Sequence, residues 1–517
     1  MTPAPHSDTP AGRSHTPAPP PSERGPHPLR RLVQQSGLYA LGNVVVKASG
    51  LLLAPLYLNL LTEQQFGYFA LLDVTARVVI TVGGLGLAAG LLRVLTRHTD
   101  PEEHAAVPLT ALALATGAAL LWGGLLWMAA PALARLLLDD GAMAWTVRLM
   151  GLYAAAKVVQ SVPLMLMRAR ERAGLFLGAT FTELALLTGG VVWLLGHLNR
   201  GVQGIMEAYL LAAAGSTALL VGAMLWRIRW RLRRALAAPL LRFGVPLAFA
   251  ALAALVLNLG DRYMLKALAD AGTVGVYDWA GRLGGVINML FVQSFHMAFN
   301  VIGLKVLGPE GDGRAVYRRV FRHYVVWTGW GVVGLSLLAL DVTMLLSERP
   351  AYQAVDTLIL PIALGFLLYG LYYIVANILY AVGNSRAIAV VVVGAAVANL
   401  LLNAVFIPWL GALGAALTTT AAYGLLLLFT LRAAQRHLHV DYAWGKLIRV
   451  VLLILVLVSL GRLGADAPPL VRLAWRGGLI LAYLPLLLLM RLYTLAEIRV
   501  GVARMRDQWR AFRREAA

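Results

Sequence analysis

Seven charged side chains lie inside long apolar stretches of this chain: Lys47, Asp73, Arg77, Lys157, Glu183, Asp278 and Arg282. A charge at the middle of a bilayer costs about 3 kcal/mol on insertion scales, so each should face protein or water rather than lipid. Their residue types suit the binding of a phosphorylated anion. Arginine offers phosphate oxygens a two-pronged fork, and lysine offers a compact charge. Polar companions recur at helical spacing. Asn43 stands one turn before Lys47; Tyr153, Gln160 and Ser161 share a face with Lys157; Asp278 and Arg282 continue to Gly285, Met289, Gln293 and His296. The candidate contacts are therefore Lys47, Arg77, Lys157 and Arg282, with Asn43, Gln160, Asp73 and Asp278 beside them.

The same spacing supports a quieter reading. Asp73–Arg77 and Asp278–Arg282 are both Asp-x-x-x-Arg, a spacing at which an acid and a base neutralise each other along one helix face. Glu183 can neutralise Lys157 from the next helix. Lys47 has no acid on its own face and is expected to line a cavity. Of the two arginines, Arg282 is expected to serve the ligand, because its polar stripe runs further, and Arg77 to be structural. Tyr369, Tyr372, Tyr373, Asn377 and Tyr380 form an aromatic stripe that could stack on sugars but reads rather as packing or an interfacial belt. Asn399 and Asn403 read as bonds between helices, and Asp261-Arg262 as a gate contact or a wetted helix end. No cluster has metal-ligand spacing, and no cofactor is expected.

Fourteen apolar stretches must position these groups, from 36–61 and 67–92 through 274–302 and 355–382 to 447–463 and 473–490. Most reach the roughly 20 residues that span a bilayer. The composition agrees, with 59% hydrophobic and only 14% charged residues. If odd-numbered loops lie outside and even-numbered loops and both tails inside, the 45 Lys and Arg divide as 32 inside, 9 outside and 4 within helices. Such a bias of basic residues orients a polytopic protein with both termini in the cytoplasm. The net charge of +20 then belongs beside an anionic leaflet and does not argue for nucleic acid. There is no cysteine, which removes disulfides and thiolate chemistry. No phosphate-binding Gly-x-x-x-x-Gly-Lys-Ser/Thr loop occurs. No loop is long enough for a soluble domain.

Two copies of one pattern follow each other. Phe66-Gly67-Tyr68-Phe69 precedes Asp73-x-x-x-Arg77, and Val274-Gly275-Val276-Tyr277 precedes Asp278-x-x-x-Arg282; Gly201-Val-Gln-Gly204 is echoed by Gly411-Ala-Leu-Gly414. Parallel repeats about an axis along the membrane normal are a transporter architecture. The expected organisation is a cytoplasmic tail (1–30), a first lobe (31–234), a second lobe (235–436), two extra helices (437–490) and a basic cytoplasmic tail (491–517). The first tail, rich in Pro, Ser, His and Thr, lacks the apolar core of a signal peptide and is expected to be disordered.

Several blocks resemble a known family. Leu60-Leu-Thr-Glu-Gln-Gln-Phe-Gly67-Tyr, Gly84-Leu-Gly86-Leu with Arg93, Leu241-Arg-Phe-Gly-Val-Pro246, Asp261-Arg-Tyr-Met-Leu265 and Asn399-Leu-Leu-Leu-Asn403 through Gly411-Ala-Leu-Gly414 occur in order. They are similar to the polysaccharide and oligosaccharide flippases of the multidrug, oligosaccharidyl-lipid and polysaccharide exporter superfamily. The resemblance implies an all-α membrane bundle of about 14 helices, with two six-helix lobes in a V around a central cavity and two extra C-terminal helices. It also implies alternating access and no enzymatic activity. The implied substrate is an undecaprenyl-pyrophosphate-linked oligosaccharide, carried from the inner to the outer leaflet of a bacterial cytoplasmic membrane. Membrane lipids and glycan polymerase machinery would be the other partners. A flippase for the lipid-linked peptidoglycan precursor and a drug/cation antiporter of the same superfamily stay open. A membrane glycosyltransferase or polymerase would need a long outer loop or paired catalytic carboxylates; Asp139-Asp140 is the one adjacent acidic pair expected outside.

Overall fold

The computed structural model describes residues 50, 52–97, 100–228, 230–306, 313–442, 444–465 and 467–490. Both expected tails, Asn43, Lys47 and most of the first apolar stretch lie outside the described residues. Among the described residues every regular element is helical. The first lobe holds α1 (Ala54–Leu60), α2 (Glu63–Gly83), α3 (Leu87–Arg97), α4 (Pro101–Leu138), α5 (Ala144–Ala169), α6 (Ala173–Val191) and α7 (Gly201–Leu225). The second holds α8 (Ala237–Leu259), α9 (Asp261–Leu268), α10 (Ala271–Ile287), α11 (Ser294–Val306), α12 (Gly313–Leu346), α13 (Val355–Ala381) and α14 (Ser385–Gln435). A hairpin of α15 (Trp444–Arg462) and α16 (Pro469–Leu489) follows.

Among the described residues, eleven helical stretches are long and apolar enough to cross a membrane. One of them, α14, counts twice. Its 51 residues contain Gly411 at φ 55°, ψ −130°, a conformation open to a residue without Cβ. Asn403 accepts from Thr418 and Asn399 donates to Thr419 at 3.3 Å, so the halves on either side of Gly411 run back along each other. These are the separate stretches 387–407 and 411–431 expected from the sequence. Likewise α10 continues through a π-helical turn (Asn288–Gln293) into α11, completing the expected stretch 274–302.

The ends of the charged helices are fixed locally. Thr62 caps α2 in a reciprocal box with Gln65, and Asp270 caps α10 through the backbone N–H of Thr273. At the far end of α2 the chain breaks at Gly84-Leu85-Gly86. Gly86 has φ 61° and packs on Gly244 of α8, where a Cβ would lie 2.1 Å from the Gly244 carbonyl oxygen.

The packing defines a V. At one face a single apolar core joins both lobes: Tyr57, Phe66, Phe69, Met150 and Ile205 meet Trp279, Leu283, Tyr352 and Ile359. Toward the opposite face the core divides. The first lobe has its own cluster around Leu91, Val107, Val158 and Leu220, joined by Leu236 and Leu240 at the start of α8. The second lobe has another around Phe321, Val333, Leu371, Tyr423 and Leu457. The α15–α16 hairpin joins only the second lobe: Tyr483 donates to the Val326 carbonyl at 3.0 Å, and Arg472 and buried Arg476 both pair with Asp341 of α12.

Candidate functional site between the lobes

Just inside the joined face, α2, α9 and α10 bring six charges together. In the first lobe, Arg77 Nε donates to Asp73 Oδ2 at 3.0 Å across one turn of α2. In the second lobe, Arg282 Nε donates to Asp278 Oδ2 at 2.7 Å across one turn of α10. The pairs are equivalent in sequence but not in surroundings.

Arg282 is built into the protein. Its guanidinium lies 5.4 and 5.2 Å from the ring centres of Phe66 and Phe69 on α2, so it packs across the lobe boundary. A Cβ at Gly50 would lie 3.4 Å from Arg282 Nη1, which places Gly50 against it as well. Its carboxylate partner is shared: Asp278 Oδ1 accepts from Arg262 Nε at 3.3 Å. Arg262 in turn donates to Asp261 Oδ1 at 2.7 Å and to the Asn258 carbonyl at 3.3 Å. Asp261 also accepts from Tyr277 and from Thr419, the latter at 3.3 Å. Asp261 and Arg262 are buried, 1% and 7% exposed, so they are not a wetted helix end. Two acids and two bases thus alternate in a buried chain, the arrangement that lets charges persist away from water.

Arg77 is different. Its side chain is 58% exposed although it lies in the middle of an apolar span, and its partner Asp73 is 13% exposed. Both of the guanidinium contacts to Asp73 go to the same carboxylate oxygen, which leaves donors of the five-proton fork unused. Arg77 lies about two turns along α2 from Phe69, which covers Arg282, so both motifs sit where the lobes meet and frame one space there. Tyr209, 5.8 Å from Phe69 and 5.3 Å from Tyr153 between ring centres, packs beside α2 on the first-lobe side.

Lys157 and Gln160 are not brought to this space as free groups. Lys157 Nζ contacts Glu183 Oε1 and Gln160 Oε1, both at 2.6 Å, while Gln160 Nε2 donates to Glu183 Oε2 at 2.9 Å and to Ser216. This network ties α5, α6 and α7 together within the first lobe. The aromatic stripe of α13 packs: Tyr369 stacks on Tyr423 at 4.7 Å and shares a hydrogen bond with Tyr373, which faces His296 at 4.2 Å. No group of three metal-ligating residues occurs among the described residues.

Polar links close the joined face. Lys266 of α9 donates to Asp139 at the end of α4, and Tyr68 of α2 donates to the same carboxylate at 3.2 Å. The Lys266 hydrogen bond holds the Asp139 carboxyl below the usual aspartate range. Arg349 reaches the Asn59 carbonyl at 3.0 Å and Glu63 at 3.7 Å. The signal for the buried chain lies in the sequence: Asn258, Asp261 and Arg262 fall at helix spacing before one short turn, and Asp278 and Arg282 after it.

Residues 32–299 match the family described as polysaccharide biosynthesis protein. No curated protein matches the sequence. Among solved structures, that of a lipid II flippase, MurJ, in an inward closed conformation superposes with a TM-score of 0.72 at 13% identity, over 88% of this chain and 100% of that one. A multidrug resistance MATE family transporter of the MOP superfamily in its inward-facing conformation gives 0.66 at 15% identity, over 76% and 94%. An outward-facing conformation of a MATE family transporter gives 0.54 at 14% identity, over 82% and 96%. The fold is that of these exporters, and the chain is a multi-pass membrane protein.

Proposed function

Because the chain belongs to the polysaccharide biosynthesis protein family, we propose that it is a flippase for an undecaprenyl-pyrophosphate-linked oligosaccharide in a bacterial cytoplasmic membrane. Both termini are cytoplasmic on this reading, and the joined face is the outer one, so the lobes diverge toward the cytoplasm. The better superposition on inward than on outward exporter structures supports that orientation.

The observation that carries the reading is Arg77: an exposed guanidinium within a spanning helix, bonded to one oxygen of one carboxylate. A diphosphate entering from the cytoplasmic side meets a donor fork already held in place by Asp73. Charge-assisted bonds of this kind stabilise by about 1.5–3 kcal/mol each. Arg282 behind it is held by Asp278 and by the rings of Phe66 and Phe69 and does not take the ligand itself. When the joined face parts, the aromatic cover over Arg282 from Phe66 and Phe69 is lost and the site opens to the other side. The family's carbohydrate association favours sugar over the peptidoglycan precursor. An antiporter of cationic drugs would want unpaired acids at this depth, whereas Asp73, Asp261 and Asp278 are each paired with an arginine.

Purified protein in proteoliposomes, loaded with a labelled lipid-linked oligosaccharide, tests this directly. Translocation is read as label reaching a hydrolase on the far side. The reading predicts transport by the native protein and about a tenfold or larger loss with Arg77→Gln. Transport of the peptidoglycan precursor but not the oligosaccharide would replace the substrate; native rates from Arg77→Gln would remove the site.

A further inference from the structure

A second cationic site lies far from the lobe boundary, where the C-terminal hairpin meets the second lobe. A cavity of about 360 Å3 opens between the first turns of α12, the segment before α15, and the first turns of α15. Leu346, at the other end of α12, touches the joined face through Asn59, so this cavity lies at the opposite face of the membrane. Its rim carries Arg318, Arg319, Arg322 and Lys446 against one carboxylate, Asp441. Its floor is apolar: Val325, Val326, Leu447 and Val450. Among the described residues, no ion pair is formed by Arg318, Arg319 or Lys446.

The site is held in shape rather than left as a loose surface. Gln435 accepts from the Val440 backbone N–H at 3.0 Å and donates to the Val440 carbonyl at 2.8 Å, which splints the turn leading to Tyr442. Tyr442 is 5% exposed and packs on Phe321 at 4.5 Å between ring centres. Its hydroxyl is buried with no hydrogen-bond partner among the described residues, and the residue lines the cavity. A buried hydroxyl left without a partner costs about 1–3 kcal/mol, which a bound acceptor oxygen would recover.

We propose that this cavity binds the phosphate head of an anionic phospholipid from the surrounding leaflet. The cations meet the phosphate, Tyr442 donates to one of its oxygens, and an acyl chain follows the apolar floor into the bilayer. Free phosphate satisfies the cations and Tyr442 but leaves the apolar floor empty, which favours the lipid. Bound there, the lipid would bridge α12 and α15 and fasten the hairpin to the lobe.

The test uses the full chain in detergent, supplied with phosphatidylglycerol and phosphatidylcholine in equal amounts, with retained lipids counted by native mass spectrometry. The native protein should retain one phosphatidylglycerol preferentially. Arg318→Gln, Arg319→Gln and Lys446→Gln together should weaken retention by about tenfold or more, since each cation near a lipid phosphate is worth about fivefold. Arg227→Gln, Arg234→Gln and Arg386→Gln, which remove exposed cations elsewhere at this face, should change it little. Asp441→Asn should tighten binding, a gain that misfolding does not imitate. Equal loss from both triple variants, or no gain with Asp441→Asn, would overturn the assignment. Displacement of the lipid by millimolar inorganic phosphate would show a free-phosphate site instead.

Discussion

Gly67 and Gly275 pack on each other's backbones in a reciprocal contact between the lobes. A Cβ on Gly67 would lie 1.7 Å from the carbonyl oxygen of Ala271, and one on Gly275 would lie 2.2 Å from that of Glu63. Each glycine thus sits against the carbonyl four residues before the other. These are the equivalent glycines of the two sequence repeats, so the contact of α2 with α10 is itself locally twofold. Bare backbone on both sides lets α2 and α10 approach as glycine-faced membrane helices do.

That closeness gives a lock. A Cβ at Gly272 would lie 3.9 Å from Glu63 Cβ, within the range for a disulfide. The chain has no native cysteine to compete. Glu63→Cys with Gly272→Cys should cross-link under mild oxidation, hold the joined face shut and stop transport, with recovery on adding reductant. Transport that continues at full rate in quantitatively cross-linked protein would mean that this face never opens.

The Lys266–Asp139 link should report the same closure through pH. The Asp139 carboxyl titrates below its usual value because Lys266 donates to it. A depressed acid stabilises the linked form above its ordinary pKa of about 3.9 and loses that contribution as pH falls through the lowered value. Spin-label distances across the joined face should therefore be constant from neutral pH down to about 4 and lengthen below it. Asp139→Asn should flatten that acid limb; an unchanged limb would assign it to another group.

The framework was legible because lipid leaves the chain few choices. Apolar length sets the spans, and paired glycines mark where helices touch, so the repeated Phe-Gly and Val-Gly openings pointed to α2 and α10 correctly. Partners across the sequence were less legible. Arg77 and Arg282 share one motif, and the longer polar stripe of α10 pointed to Arg282 as the one that serves the ligand. The structure leaves the Arg77 side chain the more exposed of the two, because Phe66 and Phe69 from the other lobe cover Arg282, and nothing local to residue 282 encodes them. Asp261-Arg262 looked like a helix end because the tight approach of α9 to α10 and α14 is a tertiary fact. Lys47 and Asn43 lie outside the described residues.

Within the first lobe, Lys157 and Glu183 should behave as mutual partners. Removing one leaves a lone charge among helices, a loss of about 3–5 kcal/mol when such a pair is well buried and less here, where each side chain is about a quarter exposed. Lys157→Met should lower the amount of folded protein in the membrane, and Glu183→Leu added to it should restore much of that amount. If Lys157→Met leaves protein levels intact while transport is lost, Lys157 contacts substrate and the pairing is incidental.

The two Asp-x-x-x-Arg motifs can be separated by the same logic applied to transport. Arg282 is enclosed by aromatic rings and shares Asp278 with Arg262, so Arg282→Gln leaves the buried chain one positive charge short. Adding Asp278→Asn should not simply restore balance, because Arg262 then loses one of its two carboxylates. Folded protein should fall in both the single and the double variant. At the first motif the expectation differs. Arg77 is largely exposed, so Arg77→Gln should leave membrane levels within about twofold of native while transport falls about tenfold or more. Asp73→Asn alone should keep part of the transport, since Asp73 orients the fork without meeting the ligand. The double variant Asp73→Asn with Arg77→Gln should be as inactive as Arg77→Gln, because no repaired pairing returns the lost donors. Recovery of transport in that double variant, measured at matched protein levels, would show that Arg77 serves only to neutralise Asp73.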